Sequence, residues 1–351
     1  MKDENGLYPE DIASMLSKAD PDEIKRLRRI GKMRLEHSGY KAAWAWLTDI
    51  YDQHGGDKAL AEEGVSGLFY GVSGAGKSTI LRRFTKVMGG PFETPGGVRR
   101  PVIRVSTPAN PNLVNIHQAM LLALGAEGLM NNDAQDMRLS VHRQIEAQGV
   151  RLIIFDEFTH IVEDRSERFA VKTMRSLKEL LNEVHCNVVF AGTEELVKVH
   201  KLYGQMKRRS AGDMQLRSFS WGDEDDQAEW YDLMGAVQAK LILPMHPPLY
   251  EENLGRQMHQ ASLGVMDHLM KILFRATSFA HRDQSPAIGV GHLAQAFERL
   301  RRGDNKSINP FGDAPVRRPK PLVVDEDEEE DEPSNLSKRK DKRADRDGFT
   351  A

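Results

Sequence analysis

The chain has 351 residues, 40% of them hydrophobic and 29% charged, with a formal net charge of −3. This is the composition of an ordinary globular protein of one large domain or two small ones, and it excludes fibrous and wholly disordered classes. The longest apolar run, Leu113 to Ala126, is interrupted by Asn115, His117 and Gln118, so no membrane span is expected; no secretory leader is visible after Met1, and a cytoplasmic location is the expectation.

Pro21 to Asp52 has helical spacing, with Ile24, Leu27, Ile30 and Leu35 followed by Ala42 to Leu47 and Ile50. Asp20-Pro21 supplies an N-cap and a first-turn proline, and Ser38-Gly39 is expected to divide the stretch into two helices. Trp44 and Trp46, two residues apart, fall on different faces and are expected to anchor the helix pair. From Ser66 to Trp221, short apolar strands alternate with amphipathic segments. The expected strands are 67–70, 101–105, 152–155, 187–191 and 214–219, the pattern of a parallel sheet covered on both faces, hence an α/β fold. Cys186, the single cysteine, precedes Val188-Val189-Phe190 and is expected to be a buried small side chain, excluding internal disulfides and multi-cysteine zinc sites.

After Trp221 the strands are expected to stop. Helical spacing occupies 230–243, 265–279 and 292–300, with breaks at Pro244, Pro247, Pro248 and Pro286; Met258, Met266 and Met270 are expected in that helical core. The last segment contains the acidic run Asp325 to Glu332 and then mostly basic residues. Pro321 to Ala351 holds eleven acidic and six basic side chains, a net of −5, so the other residues carry −3 minus −5, or +2. This tail is expected to be disordered, and the near-neutral body neither supports nor denies DNA binding. The expected divisions are an N-terminal helical region at 1–63, a nucleotide-binding α/β domain at 64–222, a helical lid at 223–303 and a charged tail at 304–351.

Gly71-Val72-Ser73-Gly74-Ala75-Gly76-Lys77-Ser78 has every fixed position of the phosphate-binding loop G-x-x-x-x-G-K-[ST], between an expected strand and an expected helix, and Thr79 beside it is expected to join the loop in binding nucleotide. Such a loop wraps phosphates with backbone N–H groups at a helix N-terminus. Lys77 is expected to contact the β- and γ-phosphates of ATP and Ser78 to hold Mg²⁺. Leu152-Ile153-Ile154-Phe155 ends in Asp156-Glu157, two carboxylates at the strand edge where ligands bind in parallel sheets. Asp156 is the expected Mg²⁺ partner and Glu157 the residue that orients the attacking water. Thr193, after strand 187–191, is the candidate to position that water or report on the γ-phosphate; it also fits the N-cap of the next helix, and the two roles are not exclusive. Lys207-Arg208-Arg209 either complements a helix C-terminus or supplies an arginine finger to a neighbouring subunit, through Arg208 or Arg209. The twelve histidines show no metal-ligand spacing, and His142, His185 and His268 fall in helical surroundings.

With its phosphate loop, Asp156-Glu157, Thr193, Arg208-Arg209 and helical lid, the chain resembles the AAA+ ATPases, and within them the TniB/TnsC group of transposition ATPases. The narrower resemblance rests on Val105 to Leu113 running into a helix that ends Leu121-Leu122-Ala123-Leu124-Gly125, and on the upstream helices Ile24 to Ile30 and Tyr40 to Leu47. It spans roughly Pro21 to Leu300. It implies an AAA+ P-loop NTPase core with a parallel sheet between helices, an N-terminal helical lead-in and a C-terminal helical lid. It further implies an ATP- and Mg²⁺-dependent regulator that oligomerises on duplex DNA as a ring or filament, with weak sequence preference, and links a target-selection protein to the transposase. The chain departs from the lid pattern Gly-x-x-Arg: Gly264-Val265-Met266-Asp267 ends in Asp. Arg99, Arg100 and Arg104, which flank the second strand, either face DNA in the family's channel or are surface charges. The alternative function is an AAA+ switch, such as a helicase loader, acting on a protein partner without loading on DNA itself.

Overall fold

A computed structural model describes residues 30, 33, 35–53, 64–109, 111–163, 167–198, 210–301 and 308–312. Ser38 and Gly39 form the first turn of helix α1 (Ser38–Asp52), capped by the His37 imidazole, which accepts from the Tyr40 N–H at 3.3 Å. Tyr40, Ala43, Leu47 and Ile50 fall on one face at helical spacing and are buried. Of the helix expected before it, Ile30 is helical and buried; 21–29 lie outside the described residues.

The chain continues through β1 (Ser66–Tyr70), α2 (Lys77–Met88), a hairpin of β2 (Phe92–Thr94) and β3 (Gly97–Arg99), then β4 (Val102–Ser106), α3 (Leu113–Ala123) and α4 (Ala134–Gln148). It goes on through β5 (Leu152–Asp156), the single turn α5 (His160–Glu163), α6 (Glu167–Val184), β6 (Asn187–Gly192) and β7 (Met214–Gln215). Among the described residues five strands form one sheet in the order β4-β5-β6-β1-β7, every neighbouring pair parallel. The two faces take alternate residues: Ile103, Val105, Ile153, Phe155, Val188 and Phe190 pack beneath α3, α4 and α6. Val102, Leu152, Ile154, Val189 and Ala191 pack beneath α1 and α2. Each of these valine, leucine, isoleucine and phenylalanine side chains fully removed from water contributes about 1.5–3 kcal/mol, so a sheet buried on both sides needs no polar face. Cys186 is buried, its thiol 3.1 Å from the Val150 carbonyl.

The tryptophans tie α1 to this core. Trp44 meets Phe84 edge-on at 5.1 Å, and Trp46 lies 6.0 Å from Phe69 while its indole N–H donates to the Gly212 carbonyl.

The remaining described elements are α7 (Glu224–Gln238), β8 (Met245–His246), α8 (Glu252–Ser262), α9 (Met266–Arg282), β9 (Ile288–Gly289) and α10 (Val290–Leu300). They enclose their own core around Trp230, Met258, Leu269, Leu273 and Leu293, with Met266 and Met270 packed against it. Four points of the sequence reading are corrected. Strands do not stop at Trp221, because β8 and β9 pair in parallel between the proline-rich turns. Helix α8 was not foreseen. Strand 214–219 shrinks to Met214–Gln215: Phe219 turns away, its N–H donating to the Gly264 carbonyl and its ring meeting Trp230 at 5.5 Å. His185, expected in helical surroundings, sits instead in a left-handed turn after α6, with φ 51°. No helix among the described residues is long and apolar enough to cross a membrane.

Candidate functional site

The phosphate loop leaves β1 at Gly71 and enters α2 at Lys77, with Gly76 as a left-handed N-cap. Gly74 has φ +81°, and a Cβ there would stand 2.9 Å from the Asp267 Cβ and 3.1 Å from a Val265 methyl carbon. Glycine is therefore required twice over at this position, by its backbone angle and by the close approach of α9. Val72 and Ala75 close the loop through an N–H to carbonyl bond of 3.3 Å, Ser73 and Thr79 are exposed, and the Thr79 N–H donates to Gly76. The Lys77 ammonium donates to the carbonyls of Gly71 at 2.6 Å and Val72 at 2.8 Å. Burial lowers its pKa, while Asp156 and Glu194 act in the opposite direction.

Asp156 ends β5 almost fully buried, where a carboxylate needs partners. Its Oδ1 accepts from the Ser78 hydroxyl at 3.2 Å and from the Glu157 N–H at 3.0 Å; its Oδ2 accepts from the Arg104 guanidinium at 2.9 Å. Ser78 and Asp156 thus bring two hard oxygens together at the head of α2, a donor set suited to Mg²⁺ shared with phosphates. Among the described residues no group of three or more His, Cys, Asp and Glu forms a metal cage elsewhere.

Glu157 is exposed and adopts a left-handed backbone, φ 59°, which costs a non-glycine residue about 1–2 kcal/mol. The conformation is held by its neighbours. Phe155, Phe158 and Phe190 form a ring cluster with centroids 4.4 to 5.7 Å apart, and the Phe158 N–H donates to Ala191. Next in the turn, the Thr159 hydroxyl accepts from the Thr193 N–H at 2.8 Å and lies 3.5 Å from the Thr193 hydroxyl. Gly192 makes room for this, since a Cβ there would stand 2.0 Å from the Thr159 Oγ1. Thr193 occupies the N-cap position of a 3₁₀ turn, Glu194–Val197, with no side-chain capping bond. Its side chain faces Thr159 at the strand edge instead.

Sequence reading missed three participants. Thr159 couples the Glu157 turn to Thr193. Asp267 brings α9 onto the phosphate loop: its backbone N–H donates to the Gly74 carbonyl at 3.0 Å, and its carboxylate pairs with Lys271 at 2.6 Å. Arg104 was grouped with Arg99 and Arg100, but the structure separates them. Arg104 turns into the site, whereas Arg99, which ends β3, and Arg100 lie before β4 and donate to the Ala147 carbonyl at 3.2 Å and the Gln148 amide oxygen at 2.6 Å, at the end of α4. A signal for Arg104 was present, because a cation between the apolar residues of a covered strand requires an acidic partner. Arg208 and Arg209 lie outside the described residues.

The family model described as Bacterial TniB protein matches residues 29–217, more than half of the chain. Comparison with curated proteins returns no match. Among solved structures the chain is similar to the Aeropyrum pernix ORC1 protein in complex with DNA, at 14% identity and TM-score 0.56, covering 78% of this chain and 67% of that one. It is also similar to the ORC2 protein of that organism in its ADPNP-ADP complexes, at 14% identity and TM-score 0.53, covering 78% and 69%. Cdc6p from Pyrobaculum aerophilum gives 11% identity and TM-score 0.52, covering 76% and 68%. At these identities the likeness concerns the fold alone, a parallel-sheet α/β core with helices around it, as in these ORC and Cdc6 proteins.

Proposed function

The chain belongs to the bacterial TniB family, and on that premise we propose that it is an AAA+ ATPase that assembles on duplex DNA and regulates transposition, linking a target-selection protein to a transposase. The observation that carries the reading is the convergence of the phosphate loop, Asp156 and Glu157 at one sheet edge, with Ser78 and Asp156 in hydrogen-bond contact.

Gly71 to Thr79 bind the triphosphate through loop N–H groups and the start of α2, and Lys77 is the cation for the β- and γ-phosphates. Ser78 and Asp156 would hold Mg²⁺, which when bound neutralises phosphate charge and polarises the γ-phosphoryl group. Glu157, projecting into solvent from its strained turn, orients and polarises the attacking water; Thr193, steadied by Thr159, positions that water from the neighbouring strand. An arginine finger, Arg208 or Arg209, completes the site of an adjacent subunit, so that ATP favours assembly and hydrolysis releases it. The lid contact at Asp267 couples this cycle to the helical part of the chain.

For duplex binding we retain Arg99, the exposed arginine of the three considered, as a phosphate contact that carries no base readout. The DNA complex of the structurally similar Aeropyrum pernix ORC1 protein supports this direction without assigning residues. The test is fluorescence anisotropy of a labelled random-sequence duplex, without nucleotide, with ADP and with a slowly hydrolysed ATP analogue. Cooperative binding with the analogue alone is the expected result, weakening with salt at a log–log slope near −0.9 per phosphate contact. No binding in any state, from a preparation that hydrolyses ATP, would instead favour a switch acting on a protein partner.

A further inference from the structure

Arg104 sits in the middle of β4, between buried Ile103 and Val105, and in register with Ile154 of β5. Its side chain runs along the α2 face of the sheet and ends on Asp156, two positions further along β5 than its own strand partner. Asp156 therefore carries three protein donors. Two of them, the Ser78 hydroxyl and the Glu157 N–H, share Oδ1, and the guanidinium holds Oδ2. The Asp156 side chain is 5% exposed and that of Arg104 29% exposed, so water screens this pair poorly.

From this arrangement we infer that Arg104 is a positioning residue of the nucleotide site that sets its affinity for the divalent cation. The assignment rests on the proposed nucleotide function, and it takes Arg104 out of the set of DNA contacts. Two effects follow from one contact. The guanidinium locks the Asp156 carboxylate so that Oδ1 faces Ser78, the place where a hard cation would be shared with phosphates. It also puts a fixed positive charge on the other oxygen of the same carboxylate, so guanidinium and divalent cation would be like-charged neighbours. Even at the dielectric constant of water, charges of +1 and +2 separated by roughly 6 Å, the order of a bridging carboxylate, weaken cation binding about tenfold. The carboxylate alone is thus a poor metal site, and the cation is recruited together with the phosphates that bring the missing negative charge. Release of phosphate after hydrolysis would then release the cation as well.

The experiment is a Mg²⁺ titration of the binding of a fluorescent, slowly hydrolysed ATP analogue to the full chain, with Arg104→Gln, Arg104→Lys and the unaltered protein compared. The expected result is that half-saturating Mg²⁺ falls about tenfold in Arg104→Gln and stays at the unaltered value in Arg104→Lys, which restores the charge. DNA anisotropy at saturating Mg²⁺ and analogue should be the same in all three. An unchanged Mg²⁺ requirement in a folded Arg104→Gln overturns the inference, as does loss of DNA affinity at saturating metal, which would return Arg104 to the DNA contacts. Should Arg104→Gln not fold, Arg104→Met, which keeps the length of the aliphatic stem, carries the same titration; if neither folds, Arg104 is a structural ion-pair partner and the inference fails. An unaltered protein that binds no nucleotide at any Mg²⁺ concentration would sink the proposed function itself, a result distinct from the other outcomes.

Discussion

The two ends of β4 are met by the same residue type under opposite conditions. Just before its start, Arg99, the last residue of β3, and Arg100 find neutral acceptors at the carboxyl end of α4, where a guanidinium also complements the helix dipole. At its far end, the guanidinium of Arg104, which stands at mid-strand, meets a buried carboxylate that is already bonded to the phosphate-loop helix. The first end is an ordinary helix terminus, satisfied locally. The second concentrates left-handed backbone at Gly74, Gly76 and Glu157 and packs opposite charges together. Arg100 at the first end adds stability, whereas Arg104 at the second adjusts chemistry, because only there does the partner belong to the nucleotide site.

The sharpest way to test this contrast is at the strained end. Glu157→Gln should lower ATP hydrolysis by about 10²–10⁴-fold while nucleotide binding persists, measured by phosphate release and analogue binding on one preparation. A variant hydrolysing at the unaltered rate would remove Glu157 from the water-orienting role. Lys77→Ala should weaken nucleotide binding about 100-fold in a calorimetric titration without unfolding the chain, since two charge-assisted phosphate contacts disappear. At the other end, Arg100→Ala should cost about 1–2 kcal/mol in chemical denaturation and leave nucleotide affinity unchanged. Any effect on nucleotide binding there would break the division between the two ends. Glu157→Gly should abolish hydrolysis yet stabilise the fold by up to about 1 kcal/mol, since glycine tolerates the left-handed backbone. Lower stability would mean that the turn is not strained.

The smallest effect is a gradual pH dependence that arises away from the site. His37, His117 and His259 are pushed below their usual 6.5 chiefly by burial, although Glu229 at His37, the Ala134 backbone at His117 and the Phe219 backbone at His259 oppose the shift. Their folded forms favour the neutral ring. The stability they contribute is complete above the unfolded value of 6.5 and is lost as pH falls from there through the folded-state values. Thermal melts at falling pH should show this decline, and replacing His259 by Gln should flatten part of it.

Legibility in the sequence followed distance along the chain. The phosphate loop and the Asp156-Glu157 strand end are contiguous, and their chemistry depends on spacing that a reader can count. The covered sheet was legible because its strands are apolar on both faces. Helix α8 escaped because four of its six buried residues, Gly255, His259, Ala261 and Ser262 beside Leu254 and Met258, are small or polar, so hydrophobic period was a poor guide. The β2–β3 hairpin escaped because all six of its strand residues are exposed and show no alternation. The truncation of β7 depends on Phe219 preferring the Trp230 core to the sheet edge, a competition between distant partners.

The sequence by itself determined that a strand, a glycine loop and a helix bind phosphate, and that two carboxylates stand at another strand's end, because local backbone geometry suffices for both. Only the tertiary structure decided which arginine belongs to that site, that α9 rests on Gly74 through Asp267, and that Thr159 links the Glu157 turn to Thr193. Those pairings join strands and helices far apart in the chain, and they form because buried charges and hydroxyls must find partners once apolar packing has excluded water.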